Sequence, residues 1–161
     1  MTRAEATGYD GLSSRLVPAT ELRAFLLDCF EIGEREVFVA HEDLIAEELA
    51  NVPAHVVFAA FCTYRQVGGH FAMGFSVGIE GRLAARVGRR EFAERFAAHF
   101  DAYVLYGDTE PAGLWTVILA DGTRLLAAMD DGDGRYTLYA TTAPVPGRPE
   151  VPVDDGLRQL R

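Results

Sequence analysis

The chain has 161 residues, a formal net charge of −9 and 49% hydrophobic residues, with two cysteines, one tryptophan and no lysine. That length holds one domain, or one domain with a tail, and enough apolar residues for a core without a metal or disulfide staple. The acidic balance repels nucleic acid and anionic membranes and attracts a basic partner.

Taken in order, residues 1–17 are polar, contain Gly and Ser, and read as an irregular N-terminal arm. A single α+β domain is expected over 18–142. Thr20 caps a first helix whose Leu22, Phe25, Leu26, Cys29 and Phe30 recur at helical spacing, with Gly33 as its stop. A short strand over Arg35 to Ala40 follows. Then comes a helix from His41 to Asn51, with Leu44, Ile45 and Leu49 inward and Glu42, Asp43, Glu47 and Glu48 outward. Residues 82–87 alternate as a strand, with a helix as the other reading. Phe92, Phe96 and Phe100, four apart, mark a helix over Arg90 to Asp101. Strands are expected at Tyr103–Tyr106, Leu114–Ala120, Thr123–Met129 and Arg135–Thr142, with turns at Asp121-Gly122 and within Asp130–Gly134. Four prolines then fall within nine residues, so 143–161 reads as an extended Pro-rich tail packed on something.

The longest apolar run, His55 to Ile79, organises the domain. Gly68-Gly69 in its middle is a two-residue hairpin signal, because both residues tolerate positive φ. That turn would set Tyr64 opposite Met73, Cys62 opposite Phe75 and Ala60 opposite Val77, on one apolar face. The other face of the second strand is small: Ala72, Gly74, Ser76 and Gly78. Either a helix packs closely over it, or it is a shallow groove for a ligand or partner segment, lined by Phe61, Thr63, Tyr64, Arg65 and Ser76.

The predicted architecture is therefore α+β: a mostly antiparallel twisted sheet of six to eight strands with two or three helices on one face, in the order α-β-α-β-β-(β)-α-β-β-β-β.

No catalytic constellation emerges. His41, His55, His70 and His99 form no HxH or HExxH pattern, and no GxSxG, P-loop or dinucleotide fingerprint occurs. Cys29 and Cys62 lie in apolar patterns without CxxC spacing and read as buried free thiols of a reducing compartment. The Asp130–Gly134 string lacks the later bidentate Glu of a calcium loop. No catalytic residue, metal or cofactor is expected. Neither a signal peptide nor a membrane-spanning apolar run is read, which points to a cytoplasmic protein.

Charge is distributed unevenly. Between Asp28 and Glu48 there are eight carboxylates against one arginine. Such a run is either a solvated face or a docking surface for a basic protein. Glu31, Glu34, Glu36, Glu42, Asp43, Glu47 and Glu48 are the candidate partner-binding residues, with Asp108, Glu110 and Trp115 extending the surface. The leading expectation is a non-catalytic protein-binding protein, in concrete form a bacterial immunity-type inhibitor that occupies a basic toxin or enzyme. The alternatives are a small-molecule binder or enzyme using the small-residue face of the hairpin, and a chaperone or adaptor holding a peptide. A homodimer through the hairpin is also open.

Overall fold

Phe92, Phe96 and Phe100 each keep 2% or less of their surface exposed and anchor the helical layer. They belong to α4 (Arg89–Phe100), which packs beside α1 (Ala19–Phe30). Phe25 of α1 sits edge-on to Phe96 at 5.5 Å, and Phe75 from the sheet stacks on Phe96 at 4.9 Å. Such aromatic pairs add to the ordinary gain from burial, about 1.5–3 kcal/mol for a phenylalanine.

The computed structural model describes residues 7–107 and 114–159. Its strands are β1 (Thr7–Ser13), β2 (Val37–His41), β3 (Ala60–Gln66), β4 (Gly68–Gly69), β5 (Met73–Ile79), β6 (Val104–Tyr106), β7 (Leu114–Ile118), β8 (Arg124–Gly132) and β9 (Arg135–Thr141). They form one nine-stranded sheet in the order β2-β3-β5-β1-β6-β7-β8-β9-β4. The two remaining α-helices are α2 (Ile45–Leu49) and α3 (Gly81–Arg86). The fold is α+β, with α1, α3 and α4 on one face of a mixed, largely antiparallel sheet. Among the strands of the sheet, parallel pairing is confined to β2 with β3 and β4 with β9.

Three expectations are corrected. The N-terminal arm is not irregular throughout, since Thr7–Ser13 is a strand inside the sheet, between β5 and β6. Its small residues make room for neighbours. A Cβ on Gly11 would lie 2.6 Å from the Phe75 ring, which is its cross-strand partner. Residues 82–87 are mostly helix, not strand. Leu83 is fully buried under the helical layer while Arg82 and Arg86 reach out to carboxylates.

The third correction concerns the hairpin. Gly68-Gly69 is not its turn. β3 pairs with β5 as Cys62 opposite Val77 and Tyr64 opposite Phe75, two residues from the expected register. An even shift leaves every side chain on its expected face. The glycines instead form β4, with Gly68 opposite Arg135 and Gly69 opposite Tyr136. Gly69 has φ +87°, and a Cβ there would overlap the Tyr136 carbonyl. Only glycine lets the two backbones approach so closely.

This pairing shapes the sheet. β4 follows β3 after one residue, yet it lies at the opposite end of the strand order. The sheet therefore curls until its two ends meet. Inside the curl a second core forms from Leu12, Leu105, Val117, Leu125 and Leu138. The Pro-rich tail packs on it through Val145 and Val151, both 4% exposed, and Val153 bridges to Thr141. The tail is tied down further where Arg148 Nε donates to the Tyr103 hydroxyl at 3.0 Å, and that hydroxyl donates to the His70 carbonyl.

Candidate functional site

Among the described residues no helix covers the small-residue face of β5. The helices pack on the other side, against Cys62, Met73, Phe75, Val77 and Ile79. The bare face becomes the floor of an open groove of about 470 Å³. Ser76 and Asp10 face each other across β5 and β1, with the Ser76 hydroxyl donating to the Asp10 carboxylate at 2.6 Å. Bulk missing from Gly8 and Ser76 hollows the surface.

Two arginines mark opposite parts of the groove. Arg65 on β3 lies across its register partner Gly74, where a Cβ would come within 2.8 Å of the guanidinium carbon. Its Nη2 donates to the Tyr136 hydroxyl at 2.9 Å. Arg89, at the first turn of α4, donates to the carbonyls of Gly107 and Gly8, both at 3.3 Å, with its guanidinium carbon 5.9 Å from the centre of the Tyr9 ring. Neither has a carboxylate within ion-pair distance among the described residues, whereas Arg82, Arg86, Arg90, Arg95 and Arg148 each have at least one. Trp115, Met129 and Tyr136 form the apolar wall, and Asp131 lies at the rim opposite Tyr136.

The expected ligand-lining residues are therefore divided. Arg65 and Ser76 line the groove. Phe61 does not; it stacks on Phe38 at 4.5 Å and meets Phe58, forming an aromatic cluster toward the β2 edge. Thr63 lies opposite Ser76, outside the groove lining. Tyr64 points to the opposite face, where it meets the His41 ring edge-on at 5.5 Å. Trp115, expected with the partner-binding acids, sits in the groove instead. Arg89, Asp10 and Asp131 carried no sequence signal, because nothing local connects β1, β8 and the start of α4.

The acids also divide. Glu31 pairs with Arg86 at 2.9 Å. Glu36 accepts the Gly33 amide and pairs with Arg82 at 3.3 Å. These two hold α3 against the loop after α1. Glu34 is exposed, and Asp108 and Glu110 lie outside the described residues.

Glu42, Asp43, Glu47 and Glu48 occupy the crossover between the parallel strands β2 and β3. Such crossovers ordinarily lay a helix on the sheet. This one does not. α2 has five residues and none is buried, and the preceding 3-10 turn, Glu42–Leu44, buries none either. The expected inward packing of Leu44, Ile45 and Leu49 is thus corrected: Leu44 is 42% exposed, and the other two are half-buried. Val57, at the return to β3, is 77% exposed. The Asp43 carboxylate lies 3.7 Å from His41 Nδ1, and that nitrogen accepts the Asp43 amide. Among the described residues Glu42, Glu47 and Glu48 have no cation within ion-pair distance.

Catalytic chemistry finds little footing. Cys62 is fully buried, and desolvation pushes its thiol up to about 12. Cys29 is buried too and raised by desolvation, which outweighs the nearby Arg95. The Ser76–Asp10 pair has no histidine beside it in the groove lining. The Asp10 carboxylate could accept the Ser76 proton, but no third side chain among the described residues is seen to orient the pair, as the base is oriented in a nucleophile–base–orienter set. No group of three or more His, Cys, Asp or Glu side chains among the described residues is placed to hold a metal ion, and no helix there is long and apolar enough to cross a membrane. No protein-family model matches the chain, and neither a curated protein nor a solved structure shows significant similarity to it.

Proposed function

We propose that the chain is a non-catalytic cytoplasmic protein-binding protein of the immunity-inhibitor kind, which docks a basic protein on the β2–β3 crossover. One observation carries this reading: the crossover helix α2 buries no residue, so the segment contributes little to the core while its sequence presents four carboxylates together with exposed Leu44, and Val57 is exposed where the crossover returns to β3. Interfaces commonly combine an apolar centre with a charged rim, and the half-exposed Phe58 and Phe61 beside the crossover supply aromatic surface. The partner's chemistry follows from the charge, since carboxylates without cations steer a basic surface into contact. Capture from the native host tests it. Wild-type protein should retain one basic protein at low salt. The Glu42→Gln, Asp43→Asn, Glu47→Gln, Glu48→Gln variant should release it while keeping wild-type thermal stability. Equal capture by both sinks the reading.

A second reading, a small-molecule site, is favoured by the groove: Arg65 and Arg89 line an open hollow and have no carboxylate partner among the described residues. The two surfaces lie on different parts of the sheet, so one does not exclude the other.

A further inference from the structure

The groove holds two opposite charges that do not neutralise each other. Arg65 is seated on Gly74 and held by Tyr136. Asp131 lies directly opposite Tyr136 on the neighbouring strand, on the same side of the sheet. Cross-strand neighbours have Cβ atoms about 5 Å apart, so the tyrosine ring, reaching toward β3, separates the carboxylate from the guanidinium. Arg65 and Asp131 are not within ion-pair distance of each other, and among the described residues neither pairs with another charge. Trp115 and Met129 supply apolar lining in the same groove.

We propose that this groove binds a small zwitterion of dipeptide size, its carboxylate on Arg65 and its ammonium on Asp131, with an aliphatic side chain against Trp115 and Met129. The inference rests on the second reading above, that the groove is a binding site. A guanidinium held in place presents a fork that matches a carboxylate, and prior positioning lowers the cost of binding. Among the described residues the lining carries two arginines and two aspartates, a balance that does not reward a polyanion. The cavity, about 470 Å³, lies within the usual range of about 300–1,000 Å³ for small-molecule sites. An extended dipeptide spans about 7 Å between its termini, enough to bridge two groups set apart by a tyrosine ring.

The single tryptophan is itself the reporter, since Trp115 is the only one in the chain. Its fluorescence is titrated with the dipeptide alanyl-leucine, its N-acetyl form, its amide, and the doubly blocked form. The inference predicts saturable quenching by the free dipeptide and affinity about tenfold or more lower when either terminus is blocked, each block removing one charge-assisted contact. Asp131→Asn, at an exposed rim position, should lose discrimination against the N-acetyl form while leaving folding intact. Arg65→Lys should weaken the free dipeptide by a similar factor, because an ammonium lacks the fork. Equal saturable binding of free and N-acetyl forms, unchanged in Asp131→Asn, overturns the zwitterion and leaves the groove as a site for simple carboxylates. No saturable response to any of the four overturns both the zwitterion and the groove reading.

Discussion

Arg65 Nη2 donates to the Tyr136 hydroxyl at 2.9 Å, joining the second strand of the sheet to the eighth. The bond spans the groove mouth, so it closes the curl and positions the guanidinium together. Tyr136→Phe should cost about 1 kcal/mol in urea unfolding, the usual net value of one hydrogen bond. Gly74→Ala should act on the same bond, because its methyl would displace the guanidinium. The two changes share one interaction, so their combined cost should fall short of the sum. Strict additivity would place Arg65 elsewhere in solution.

Gly69 is the tightest point of that closure. Gly69→Ala adds left-handed strain, about 1–3 kcal/mol, to a steric overlap with the Tyr136 carbonyl. Gly134→Ala provides the comparison, since Gly134 has φ +73° with open space around it. Its cost should stay at about 1–2 kcal/mol. Gly69→Ala should therefore be the more destabilising of the two by chemical denaturation.

His70 gives the fold a pH dependence. Its Nδ1 accepts the Leu138 amide at 2.9 Å, which requires that nitrogen unprotonated. Burial lowers its pKa below the ordinary value, with Arg148 acting in the same direction and Glu150, 3.6 Å from Nε2, opposing. The unfolded chain thus takes up this proton more readily than the folded one. The contribution to stability is complete above about pH 6.5 and is lost as pH falls through the lower folded value. His70→Asn keeps an acceptor for Leu138 but cannot titrate. Its melting temperature should fall less than that of wild type between neutral and mildly acidic pH.

Both thiols should resist modification in the native state. Cys62 has no exposed surface and a pKa of about 12, and Cys29 is 4% exposed. Reaction with a chromogenic disulfide should be slow in buffer and release two equivalents in denaturant. A fast native equivalent would show that one core opens locally.

The helical layer was readable because its signal is local. Phe92, Phe96 and Phe100 recur at the period of one helix face, and all three are buried. The faces of β3 and β5 were equally readable, since alternation survives an even register shift. What was hidden depends on distant partners. β1 has Gly8, Asp10 and Gly11 where a strand signal needs bulk, and its strand character comes from β5 and β6 on either side. Gly68-Gly69 looks like a turn within its own segment; only β9, more than sixty residues later, makes it a strand. The groove is hidden for the same reason, because Arg65, Arg89 and Asp131 converge through the curl. The acids show the converse: the run was visible, but not that Glu31 and Glu36 pair with arginines of α3 while Glu42, Glu47 and Glu48 meet no cation among the described residues.

The most direct test of the crossover as a docking surface is the association rate of the captured basic partner with wild-type protein and with the four-carboxylate variant, across a salt series. Steered association predicts a wild-type rate that falls steeply with salt and a variant rate about tenfold or more lower at low salt, the two converging at high salt. Equal rates at low salt, with the partner still bound, would contradict it and place the interface on another face.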